Sequence, residues 1–150
     1  MSDTAPIKIS DEIAALVAGA LDGGNAIVVT AVSPDQKPVV SIRGSVAVYS
    51  DDQLSFWARN VEGGTIDAIR NNPAVSLLYR GPGVPLLLFS GRARVAEAGA
   101  ERDRAFSVAH EREQKADAEK KGLAVIVDLD EIRGVLVKDG AREFVKLTRS

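Results

Sequence analysis

The sequence predicts an α+β fold, a closed or partly closed β-barrel of six or seven antiparallel strands with about three helices. Extended apolar runs follow one another across short turns. A strong Asp-Gly hairpin closes the chain, and helical periodicity is confined to a few insertions, so parallel βαβ order is disfavoured. No repeat, linker or low-complexity tract interrupts the pattern. One domain over residues 10–150 is expected, with residues 1–9 as a flexible lead.

The elements follow in order. Ser10 is a natural N-cap, Asp11 and Glu12 suit a first turn, and Ile13, Leu16, Val17, Ala20 and Leu21 recur at helical spacing before Gly23-Gly24. Residues 25–32 are apolar and β-branched, Ser33-Pro34-Asp35-Gln36 is a turn, and residues 37–49 read as one long second strand. On that strand Val40, Ile42, Val46 and Val48 share a face with Gly44 that is expected to be core. Ser41, Arg43 and Ser45 share the other face, expected to be a site or interface.

A tight turn at Asp51-Asp52-Gln53 leads into a strand over residues 54–59. A Gly-rich turn and a short helix follow, carrying Ile66 and Ile69 inward until Asn72-Pro73 stops it. Residues 75–79 resume as strand. After Gly81-Pro82-Gly83 comes a long strand over 84–96 in which Gly91 permits a bend or bulge. One charged helix is expected over about 98–121, and residues 123–138 and 142–147 form the closing hairpin around Asp139-Gly140.

Composition narrows the chemistry. The formal net charge of −2 offers no bulk positive field for nucleic acid or anionic lipid. No apolar run nears the ~18 residues that span a bilayer, and the start has no basic-then-apolar leader pattern, so a cytoplasmic protein is expected. The chain has no cysteine, which removes disulfides, thiolate ligands and Cys nucleophiles. His110 is the only histidine and lies among Glu111, Arg112, Glu113, Gln114 and Lys115. It reads as a solvated residue without a role, and no metal site is expected.

The stretch from Leu54 to Tyr79 carries the most functional information. It reads as strand, Gly-rich turn, helix and strand, the order that sets an anion at a helix start, where amides lack intrahelical acceptors. The first strand is apolar on both faces and needs cover on its outer side, which a second copy of the chain would supply.

The element order, Asn71-Asn72-Pro73-Ala74-Val75-Ser76-Leu77-Leu78-Tyr79 and Gly91-Arg92-Ala93-Arg94-Val95 together resemble the pyridoxamine 5′-phosphate oxidase-like FMN-binding split β-barrel family, over residues 10–147. The resemblance implies a homodimer with FMN sites at the subunit interface and a small-molecule substrate; the charge balance leads to the expectation of no nucleic acid or membrane partner. It places Arg43 at the basic position of the second strand, to within one residue, with Ser41 and Ser45 on its face. Trp57 and Ala58 fall on an aromatic-Thr pair that lines the flavin, and Arg59, Asn60, Gly63, Gly64 and Thr65 would cradle the phosphate.

One departure stands out: many members have Ser-Arg-Lys where this chain has Gly63-Gly64-Thr65, so two phosphate-binding cations are missing, and Arg59 is the candidate replacement. The chain also ends without the basic extension of true pyridoxamine phosphate oxidases, and that activity is not expected. The expected function is a flavoprotein passing hydride or electrons between a reduced nicotinamide, or a deazaflavin, and a small acceptor, with no catalytic acid or base evident. Deazaflavin F420 is an alternative cofactor. A non-catalytic protein holding flavin, haem or F420, and a dimer with a degenerate cofactor site, are the alternative readings. For Trp57 a core or interface position competes with flavin contact, and Tyr79 and Arg80 are weaker candidates for the pocket wall.

Overall fold

The computed structural model describes residues 7–149. The first strand, β1 (Ile27–Val32), follows helix α1 (Asp11–Gly19), and β2 (Pro38–Arg43), β3 (Ala47–Ser50) and β4 (Gln53–Ala58) come next. Helix α2 (Gly64–Asn71) leads to β5 (Ala74–Arg80) and β6 (Leu86–Ala96). Two helices, α3 (Gly99–Val108) and α4 (Glu111–Ala116), precede the hairpin of β7 (Leu123–Lys138) and β8 (Ala141–Thr148). The eight strands form one sheet in the order β2-β1-β5-β6-β7-β4-β3, with β8 on β7, and every pairing is antiparallel. Its two end strands, β2 and β3, are consecutive in the chain. Residues 44–46 alone join them, so the ends lie within about 14 Å of each other. The fold is a split barrel of α+β class.

Of the lead expected to be flexible, residues 1–6 lie outside the described residues. Ile9 is buried, and its N–H donates to the Asp51 carbonyl at 2.7 Å. Ser10 caps α1 by accepting the Ile13 N–H, and Ile13 and Val17 face the core.

The expected long second strand is two. The chain turns at Gly44-Ser45, so Val46 is buried and Val48 packs against the core, whereas Val40 and Ile42 on edge strand β2 stand 65% and 70% exposed. Their face is therefore not core. It is Val39, Ser41 and Arg43 that are half-buried, on the side from which α2 packs against β2.

Strand β4 is covered on both sides. Leu54, Phe56 and Ala58 enter the main core with Val29, Leu77, Phe89, Val125 and Ile132, while Trp57 joins Ala96, Ala105, Ala124 and Ile126 in a second cluster beneath α3. The expected single helix breaks at Ala109-His110. His110 is the N-cap of α4: its Nδ1 accepts the Arg112 N–H at 3.0 Å, and its Nε2 lies 2.8 Å from an Asp22 carboxylate oxygen. The solvated, roleless histidine is thus corrected to a capping one.

The bend expected at Gly91 is a bulge, and its extra residue sits on the partner strand. Ser90 pairs with Glu131 and Gly91 with Leu129, so Asp130 is left over. The insertion inverts the side-chain parity of β7: Val125, Val127 and Leu129 point inward before it, Ile132 and Leu136 after it. Gly91 is required there, because a Cβ would meet the Asp128 carbonyl oxygen at 2.2 Å.

Candidate functional site

The start of α2 and the half-buried side of β2 enclose a cleft of about 260 Å³ lined by Ser41, Arg43, Asn60, Gly63, Gly64 and Thr65 among others. Gly63 (φ 77°) and Gly64 (φ 47°) hold the left-handed conformation that lets the strand enter the helix abruptly, and no heavy atom of the described residues lies within 4 Å of where either Cβ would be. No side chain caps α2. Its first intrahelical bond runs from the Asp67 N–H to the Gly63 carbonyl, which leaves the preceding amides free of intrahelical acceptors.

Side chains add to those amides, Ser41 and Arg43 from the opposite wall and Thr65 from α2 itself. The Arg43 Nε–H donates to Ser41 Oγ at 3.1 Å, and Ser41 Oγ lies 3.4 Å from the hydroxyl of buried Thr65. The Arg43 guanidinium stands over the Phe56 ring, 5.4 Å from its centroid. Among the described residues no carboxylate lies within ion-pair distance of it. Burial lowers its pKa from the ordinary arginine value; nearby Glu113 opposes that effect and Arg59 adds to it, and the group keeps its charge at neutral pH. Two acidic residues temper the positive field: Glu62 lines the cleft and Asp67 lies in the first turn of α2. The donors suit a phosphate monoester: hydroxyls, a guanidinium and helix-start amides in a cradle without side-chain obstruction.

The remaining candidates lie elsewhere. Ser45 is 2% exposed and bridges to β4, its Oγ donating to the Trp57 carbonyl and accepting the Trp57 N–H at 3.0 and 2.9 Å. Trp57 is 3% exposed; its indole N–H donates to Asp117, its ring meets Phe106 edge-on at 4.9 Å, and Arg102 lies over it. Both groups are consumed inside the chain, Ala58 is in the main core, and Arg59 is exposed outside the cleft lining. Tyr79 is also core, and Arg80 is exposed on another face of the sheet. Sequence reasoning missed Glu62, although it directly precedes the glycine pair, and it missed the Asp117 acceptor of Trp57, which is 60 residues distant in the chain.

Among the described residues no His, Cys, Asp or Glu cluster is arranged for a metal, and no helix is long and apolar enough to cross a membrane.

Residues 9–135 match the pyridoxamine 5′-phosphate oxidase family. No curated protein sequence matches the chain. Among solved structures, HupZ of Group A Streptococcus is similar with a TM-score of 0.66 at 18% identity, over 90% of this chain and 98% of that one. A pyridoxamine 5′-phosphate oxidase-related, FMN-binding protein from Nostoc punctiforme aligns with a TM-score of 0.62 at 10% identity, over 88% and 92% of the two chains. A NimC/NimA family protein from Clostridium acetobutylicum gives 0.59 at 16% identity, over 85% and 88%. At such identities the structural likeness speaks for the fold.

Proposed function

Since the chain belongs to the pyridoxamine 5′-phosphate oxidase family, we propose that it is an FMN-binding oxidoreductase that passes hydride or electrons between a reduced nicotinamide, or a deazaflavin, and a small acceptor. The observation that carries the reading is the cleft at the uncapped start of α2, where Arg43 and Ser41 of β2 lie opposite the first turn and its Thr65 hydroxyl. When bound, FMN supplies the redox chemistry. The protein's part is to hold the phosphate: Gly63 and Gly64 through backbone amides, Thr65 and Ser41 through hydroxyls, Arg43 through charge-assisted hydrogen bonds. The similar Nostoc protein binds FMN, which supports this choice of cofactor.

The cleft falls short of the ~300–1,000 Å³ usual for a ligand of this kind. In this reading it takes the phosphate end, and the ring lies across a subunit interface. An apolar row supports that interface: Ile42, Val28, Leu78 and Leu88 are successive cross-strand partners over β2, β1, β5 and β6, with Ile42 exposed and the others partly so. An exposed apolar row of this kind suits pairing with a second copy of itself.

The reading is tested by the visible spectrum of the purified protein, titration of the apo form with FMN, FAD and F420, and reduction by NADH or NADPH. A flavin band with FMN bound at micromolar or tighter affinity supports it. A colourless protein that takes up none of the three contradicts it.

A further inference from the structure

A second cavity, of about 280 Å³, opens on the other side of Arg43, between α1, the start of β1, residues 43–48 and the α3–α4 junction. Its walls are apolar and made largely of small side chains, Ala14, Ala18, Ala26 and Ala47 beside Val17 and Val46. Small residues on facing elements are what keep this space unfilled. Its polar wall consists of Arg43 and His110, and Arg43 also lines the cleft at α2.

The charges are unevenly placed. His110 is engaged, by the Arg112 N–H on one nitrogen and Asp22 on the other, and Arg112 lies 3.8 Å from the same carboxylate. Arg43 has only the Ser41 hydroxyl and the Phe56 ring as close partners among the described residues, and no carboxylate within ion-pair distance. Glu113 is the competing carboxylate: it acts on Arg43 electrostatically, and its Oε1 packs close against Gly44. A half-buried guanidinium with terminal amino groups unpartnered among the described residues, at the edge of a mainly apolar cavity, matches a molecule with an apolar body and a planar anionic end.

We infer that this cavity is a binding site for a small apolar-bodied monocarboxylate, its chain among the alanines and valines and its carboxylate on Arg43. Arg43 also lines the cleft proposed for the FMN phosphate, so the carboxylate and that phosphate compete for one guanidinium. The cavity volume accommodates a medium-length alkyl chain or a single aromatic ring.

Isothermal titration of the FMN-free protein with octanoate, octan-1-ol and octylammonium tests the inference, because the three share a tail and differ in headgroup. Octanoate is expected to bind one per chain, about tenfold or more tighter than the alcohol, with octylammonium weakest. Arg43→Gln should abolish the preference for octanoate over octan-1-ol. Glu113→Gln, a change on a helix surface, should tighten octanoate severalfold by removing the competing carboxylate. Ala18→Trp at the exposed mouth should block all three ligands, with folding checked by circular dichroism. Equal binding of octanoate and octan-1-ol, preference for octylammonium, octanoate binding unaffected by Ala18→Trp, or no binding at all would each overturn the proposal.

Discussion

Arg43 bears the largest predicted effect of any single residue. A charge-assisted hydrogen bond is worth about 1.5–3 kcal/mol, so Arg43→Ala should weaken FMN about 10- to 150-fold in a fluorescence titration. Arg59 is exposed and outside the cleft lining, and a screened surface charge contributes about 0–1 kcal/mol, so Arg59→Ala should change affinity by about fivefold at most. The sequence could not rank these two arginines, because the turn at Gly44-Ser45 that folds Arg43 under α2 is not encoded in strand periodicity. The same turn misled the reading of Val40 and Ile42, whose alternation with Ser41 was legible but whose buried side was not.

Two buried serines separate partnered from unpartnered hydroxyls. Ser45 satisfies both polar groups of the Trp57 backbone, and Ser45→Ala should cost about 1–3 kcal/mol by chemical denaturation. Ser55 Oγ is buried without a partner among the described residues, and Ser55→Ala should leave stability unchanged or raise it. A clear loss of stability in Ser55→Ala would mean that the hydroxyl has a partner.

At the scale of elements, the junction from α4 into β7 depends on Asp117. Burial tends to raise the pKa of its carboxyl, but the Trp57 indole N–H and the Lys121 and Gly122 amides donate to it, and Arg102 lies near, so the net shift is downward. A folded-state pKa below the unfolded value of about 3.9 gives stability that is fully present above about pH 4 and is lost as the pH falls through the folded value. The wild-type melting temperature should therefore fall more steeply below about pH 4 than that of Asp117→Asn, and parallel profiles would contradict the linkage. The bulge makes a firmer demand: Gly91→Ala must displace the Asp128 carbonyl and should cost about 1–3 kcal/mol. Sequence reasoning located that bulge from the glycine. It could not assign the extra residue to Asp130, because the bulge is a property of two strands in register. The break at Ala109-His110 was hidden by a charge pattern that reads as helix on both sides of it, and a histidine N-cap is a weak signal beside Ser10.

At the scale of the molecule, the α+β class, the closing hairpin and most strand bounds were legible, since alternation, Gly and Pro punctuation and a few caps all point the same way. The eighth strand and fourth helix arose where one long run divided into two. The proposed homodimer follows from the apolar row on the outer face of the barrel. Ile42→Glu with Leu88→Glu should turn a dimer into a monomer by analytical ultracentrifugation, while leaving the far-UV spectrum unchanged. A wild-type monomer at micromolar concentration would remove the interface and the ring position built on it.

The central claim is that the start of α2, with Thr65 in its first turn and Arg43 and Ser41 facing it from β2, holds a phosphate in place of the missing Arg-Lys pair. The most direct measurement is the ratio of FMN to riboflavin affinity for the apo-protein, because the two differ by the phosphate alone. FMN binding about tenfold or more tighter than riboflavin, with the ratio collapsing in Arg43→Ala, is the predicted result. Equal affinity for the two, or a ratio that Arg43→Ala leaves intact, would contradict it.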